Sequence, residues 1–125
     1  MRKIGIVAAI VTVLSIIIGT AGVASAATRY HTWAHGVSVR SGDELHWADC
    51  DNSPSVANCS KVQKVINPDW GVVPTCQKAG QVVGGNPNWL RVEIYYPGSS
   101  GLSTVGWMAS YYIDYPKNVL PIPWC

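Results

Sequence analysis

Apolar and polar side chains alternate strictly from Trp89 to Ile94, with Leu90, Val92 and Ile94 on one side and Trp89, Arg91 and Glu93 on the other. That period of two marks a half-buried β-strand, and it puts Trp89 on the charged side, where exposure is expected. Pro97-Gly98-Ser99-Ser100-Gly101 is a loop by composition, and Thr104 to Ala109 forms a shorter second arm, so a β-hairpin is predicted. Ser110-Tyr111-Tyr112-Ile113 then has the polar start of a single helical turn. Two strands alone are marginal in water, so the hairpin requires the rest of the chain as its partner.

Shorter alternations fill the remainder. Val37 and Val39 against Ser38 and Arg40 predict a first strand; Val62, Val65 and Ile66 mark a second; Asn67 to Gly71 is a turn. Val72 to Gln77 is a third strand, in which Pro74 lacks a backbone donor and belongs at an edge or a bulge. Lys78-Ala79-Gly80 reads as a turn into Gln81-Val82-Val83, and Gly84 to Asn88 leads to the hairpin. Ser41 to Ser60 has turn chemistry throughout, and Ala27 to His35, without a clear period, is expected to be an arm packed on the domain. No segment of helical period is found after residue 27. Strands at intervals of roughly 8 to 12 residues, separated by Gly, Pro and Asn, predict an all-β domain, a small barrel or sandwich. Three prolines between Pro116 and Cys125 favour an extended, polyproline-like tail over residues 116–125.

The amino terminus changes the picture. Met1-Arg2-Lys3 precedes an uncharged run from Ile4 to Thr28, strongly apolar as far as Ile18 and ending in the small residues Ala24-Ser25-Ala26. Residues 1–26 are therefore expected to be a signal peptide, and residues 27–125 a single secreted domain, extracellular or cell-wall associated. A transmembrane anchor is the rival, since about 20 apolar residues suffice to span a bilayer; the Gly, Ala, Ser and Thr of residues 19–27 favour cleavage. The chain has 9 Lys and Arg against 7 Asp and Glu, a formal +2 that Arg2 and Lys3 account for, so residues 27–125 are close to neutral. Without a basic cluster they offer little to phosphates, which argues against nucleic acid and against an anionic membrane surface after cleavage.

Four cysteines in an exported domain of this size read as two disulfides. Sequence does not choose among the three pairings. The preferred one joins Cys50 to Cys59, closing a short polar loop, and Cys76 to Cys125, pinning the tail to a central strand. On the loop-entropy model these bonds contribute about 2.7 and about 4 kcal/mol.

The aromatic content, six Trp and six Tyr with no Phe, is the main candidate chemistry. Such rings serve partly wet binding surfaces as well as they plug a small core. His31, His35 and His46 with Asp49 lack the ligand spacings of zinc sites, so no metal or other cofactor is expected. His46 beside Cys50 is read as an imidazole next to a disulfide, not a nucleophilic pair. Glu93 beside Arg91 is read as a solvated cross-strand partner, so no catalytic residue is assigned and enzymatic activity is not expected.

Two motifs carry a resemblance to bacterial SH3 (SH3b) domains. Gly36-Val37-Ser38-Val39-Arg40-Ser41-Gly42 is close to that family's opening Gly-Val-Asn-Val-Arg-Ser-Gly. Trp89-Leu90-Arg91-Val92, followed after a loop by Gly106-Trp107-Met108-Ala109-Ser110-Tyr111-Tyr112-Ile113, is similar to its second half. The match covers roughly residues 36 to 115 and is nearest to small secreted, cysteine-containing members of actinomycete-like bacteria. It implies a small SH3-like barrel, monomeric, with an aromatic groove formed by Trp89, Trp107 and Tyr112, and more weakly by Tyr95 and Tyr111. It also implies cell-wall peptide or peptidoglycan as the partner. Gly42-Asp43-Glu44 departs from the family's Gly-Pro-Ser or Gly-Pro-Thr, and the loop that follows is longer. The tail segment Pro121-Ile122-Pro123-Trp124 has the character of a groove ligand and is expected to be able to block that groove. The alternative function is a small secreted inhibitor of an extracellular protease or lysozyme, with the Cys50–Cys59 loop as the inserted element.

Overall fold

The structure is a computed structural model that describes residues 27–125; the expected signal peptide over residues 1–26 lies outside the described residues. The strands are β1 (Val37–Ser41), β2 (Lys61–Ile66), β3 (Gly71–Val83), β4 (Asn86–Tyr95) and β5 (Leu102–Ala109). A short helix, α1 (Trp47–Asn52), and a 3-10 turn over Ser110–Tyr112 complete the elements. All strand pairs are antiparallel, in a single open sheet of order β2-β1-β5-β4-β3. The hairpin read from the alternation at Trp89 is β4 and β5, and the single helical turn follows it as expected. Two glycines of positive φ, Gly84 (57°) and Gly85 (80°), join β3 to β4 in the two-residue turn whose twist suits a tight hairpin.

Alternation divides the side chains between two cores. On one face Val39, Ile66, Val72, Leu90, Val92, Ile94 and Met108 form the main core, closed by Ile113 and Leu120. Each such side chain contributes about 1.5–3 kcal/mol when fully buried. On the other face Trp89 and Trp107 pack against the buried Cys50–Cys59 disulfide and Ala109. Here the expectation for Trp89 is corrected, because it is 2 % exposed. Its face carries Arg91 and Glu93, yet the segment from Gly42 to Ser60, with α1 and the disulfide, covers the Trp89 end of that face. Both indoles spend their polar handle inward: Trp89 Nε1 donates to Gln81 O (2.9 Å) and Trp107 Nε1 to Asp51 Oδ1 (2.9 Å).

Three further expectations are corrected. The segment from Ser41 to Ser60 is not all turn, since α1 forms within it, entered through Asp43, whose Oδ1 accepts the amides of Leu45 and His46 (both 2.9 Å). Lys78-Ala79-Gly80 is not a turn but part of the 13-residue β3, irregular in register between Ala79 and Val83. Gly80 serves close approach instead: a Cβ there would lie 2.2 Å from the Pro54 carbonyl oxygen, which accepts the Gln81 amide. Finally, β3 is an edge strand, so the Cys76–Cys125 bond pins the tail to the rim of the sheet and not to its centre. Pro74 sits on that edge strand beside the register shift at Cys76, as its missing donor requires.

Both disulfides have the preferred pairing. The open edge of β3 is covered by two segments. Tyr30 of the amino-terminal arm exchanges backbone hydrogen bonds with Val72 (2.7 and 2.9 Å), and the tail bridges Gln77 at Trp124. Covering an edge in this way removes a template for unwanted strand pairing.

Candidate ligand-binding surface

The arm that precedes β1 places a tryptophan beside the 3-10 turn. Trp33 donates its backbone amide to Tyr112 O (3.0 Å) and its indole Nε1 to Tyr111 O (2.8 Å). The Trp33 ring meets Tyr111 edge-on at 5.4 Å and Tyr112 at 6.0 Å, and the two tyrosines meet at 5.1 Å. Tyr111 in turn rests on the β3–β4 turn, where a Cβ on Gly84 would lie 2.2 Å from its ring. The outcome is an aromatic ridge whose outermost ring, Trp33, is 51 % exposed and yet fixed on two sides.

A cleft lies on each flank of the ridge. The larger, about 430 Å³, runs between the start of β1 and the tip of the β3–β4 hairpin; Tyr112, Trp89, Val82 and Val83 give it apolar walls, and Arg40, Gln81 and His35 its polar groups. The smaller, about 300 Å³, is lined by Trp33 and Tyr111 together with Asp114, Lys117 and Asn118. Ser110, which lines the smaller cleft, has a buried hydroxyl without a hydrogen-bond partner.

The residues implied by the resemblance are only partly brought together. Tyr112 and the inner edge of Trp89 share the larger cleft, and Tyr111 lines the smaller one. Trp107 is buried under the disulfide and Asp51. Tyr95 stands at the opposite end of β4, with the Arg29 guanidinium 4.6 Å from its ring centre and its hydroxyl donating to Glu93 (2.9 Å). That bond, with a smaller contribution from burial, raises the Tyr95 phenol above its ordinary value. Trp33 was missed in the sequence, because its arm has no periodicity to say which side chains face outward. The tail does not fill either cleft in the way expected of Pro121 to Trp124; it runs along the edge of β3.

The histidines are dispersed. His31 turns Nδ1 toward the carbonyls of Pro68 (2.9 Å) and Trp70 (3.0 Å), while His46 pairs with Asp43 (2.8 Å). The His46 side chain, with the Leu45 amide, holds the Asp43 carboxyl below the usual aspartate range. Among the described residues no group of three or more His, Cys, Asp or Glu is placed to share a metal ion, and no helix is long and apolar enough to cross a membrane.

Compared with known proteins, the chain matches no family model, no curated protein and no solved structure.

Proposed function

We propose that the chain is an exported, non-catalytic binding module of the SH3b kind, which holds cell-wall peptide or peptidoglycan along the ridge of Trp33, Tyr111 and Tyr112. The observation that carries this reading is the half-exposed Trp33, held by two hydrogen bonds at the wall of the smaller cleft, with its neighbour Tyr112 on the larger one. A fixed aromatic ring loses little conformational freedom on binding and offers a large contact area. The SH3-like barrel is supported by the return of the first strand beside the last, with Arg40 opposite Trp107, around a core to which all five strands contribute. Export is supported by the two disulfides, which belong to an oxidising compartment, and by the signal-like residues 1–26. A shallow groove of this kind binds at micromolar affinity or weaker, about −8 kcal/mol at most.

Retention of the oxidised protein on purified insoluble peptidoglycan tests the reading. Trp33→Ala is the informative variant, since Trp89 is a core residue whose loss would unsettle the fold. The variant is expected to keep stability within about 1 kcal/mol of wild type and to lose retention. Equal retention of both proteins would remove the ridge from the binding surface.

One observation favours the inhibitor as a second reading. Leu45 (87 % exposed) and Trp47 (63 % exposed) project from the segment that the Cys50–Cys59 bond braces. On that reading, inhibition in a panel of extracellular proteases and lysozymes is lost in the double variant Leu45→Ala, Trp47→Ala, with peptidoglycan retention unchanged.

A further inference from the structure

The cations of the described residues mostly have partners. Arg29 lies over Tyr95, Lys64 is 4.8 Å from the ring centre of Trp70, Arg91 is 3.6 Å from Asp51, and Lys78 donates to the Asp51 carbonyl. Arg40 differs. It is half-buried on β1 and lines the larger cleft, and its side chain makes one long hydrogen bond, 3.4 Å from Nη1 to Cys59 O. Among the described residues no carboxylate lies within 4.0 Å of it, and neither Asp nor Glu lines the cleft. A guanidinium carries five donors in a fixed fork, and a 3.4 Å contact to a neutral carbonyl satisfies one of them poorly. Holding that charge partly out of water without a counter-ion is unfavourable, and a carboxylate placed across the fork removes the deficit.

We propose that the larger cleft is a carboxylate site: Arg40 anchors a carboxylate borne on an extended peptide, whose neighbouring apolar atoms lie against Tyr112, Val82 and Val83. The volume, about 430 Å³, falls within the usual span of small-ligand pockets and suits one or two small residues. The inference rests on the binding-module reading and narrows its ligand to a peptide with a free acid, either a chain terminus or an acidic side chain. It also accounts for the composition of the cleft, where apolar walls surround one strong cationic fork.

Three short peptides separate these sources in an NMR titration of the isotope-labelled, oxidised protein: N-acetyl-Lys-Ala-Ala with a free carboxyl terminus, the same peptide as its amide, and the amide of N-acetyl-Lys-Glu-Ala. The expected result is movement of the Val83 and Tyr112 amide signals with an acid-bearing peptide and none with the plain amide. Whichever acid acts identifies the terminus or the side chain as the source. Arg40→Gln is expected to weaken that binding about tenfold or more, the scale of a charge-assisted hydrogen bond. Arg40→Lys, which keeps the charge but not the fork, should fall between, and it serves as the comparison if the glutamine variant is unstable. Equal effects of acids and amide, wild-type binding by Arg40→Gln, or no movement at the cleft with any peptide would overturn the proposal. Peptidoglycan retention measured in parallel tells the two readings apart. Loss in Trp33→Ala but not in Arg40→Gln overturns the carboxylate site alone, while acid-dependent peptide binding without wall retention supports the site and overturns the wall ligand.

Discussion

Gln77 is 1 % exposed, and its side chain binds the tail at both ends of its amide. Nε2 donates to the carbonyls of Leu120 (2.8 Å) and Ile122 (2.9 Å), and Oε1 accepts the Leu120 amide (3.2 Å). Its backbone adds bonds to Pro123 O and from the Cys125 amide. A tail interrupted by prolines makes few backbone hydrogen bonds of its own, the Ile122 amide to Leu120 O (2.8 Å) among them, and the buried Gln77 amide supplies further partners. Replacing Gln77 by Leu strands those groups, with an expected loss of about 1–3 kcal/mol in urea unfolding and faster hydrogen exchange at Leu120. Sequence gave no hint of this role, because a glutamine within a strand is ordinary until its partner 43 positions away is known. The same limit explains Trp89. Alternation states correctly which residues share its face, but whether water reaches that face depends on Gly42 to Ser60, whose path no local pattern reveals.

Among the elements, the seam between β1 and β5 depends on Gly106. A Cβ at that position would lie 2.6 Å from the Arg40 carbonyl oxygen and 3.0 Å from Val39 Cγ1. Gly106→Ala is accordingly expected to destabilise by about 1–3 kcal/mol, read as a lower urea midpoint with an unchanged slope. Strands with clean alternation, β4 above all, were legible, as was the 3-10 turn after Ala109. Helix α1 was not, since its 6 residues are too few to display a 3.6-residue period. Nor was the continuity of β3 through Lys78-Ala79-Gly80, where the glycine marks a close approach by Pro54 and not a reversal of direction. The candidate site suffered likewise: Tyr111 and Tyr112 were legible from the motif, whereas Trp33 joins them only through the arm.

For the molecule as a whole, the Cys76–Cys125 bond spans 49 positions and the Cys50–Cys59 bond only 9, so loop entropy assigns the larger effect to the first. The double variant Cys76→Ser, Cys125→Ser should lose up to about 4 kcal/mol, and Cys50→Ser, Cys59→Ser about 2.7 kcal/mol. Thermal unfolding checks that order, and only the second pair is expected to red-shift tryptophan fluorescence, because it uncovers Trp89 and Trp107. The observed pairing is the preferred one of three between which sequence did not choose; that β3 would be an edge was not legible, because strand order is set by contacts far apart in sequence. Such distance also governs when the domain can form. Trp33 is held by a residue 78 positions further on, and β1 has its inner neighbour in β5. A chain that emerges amino terminus first therefore cannot close this seam until β5 has appeared, and long-range pairing of this kind is slow.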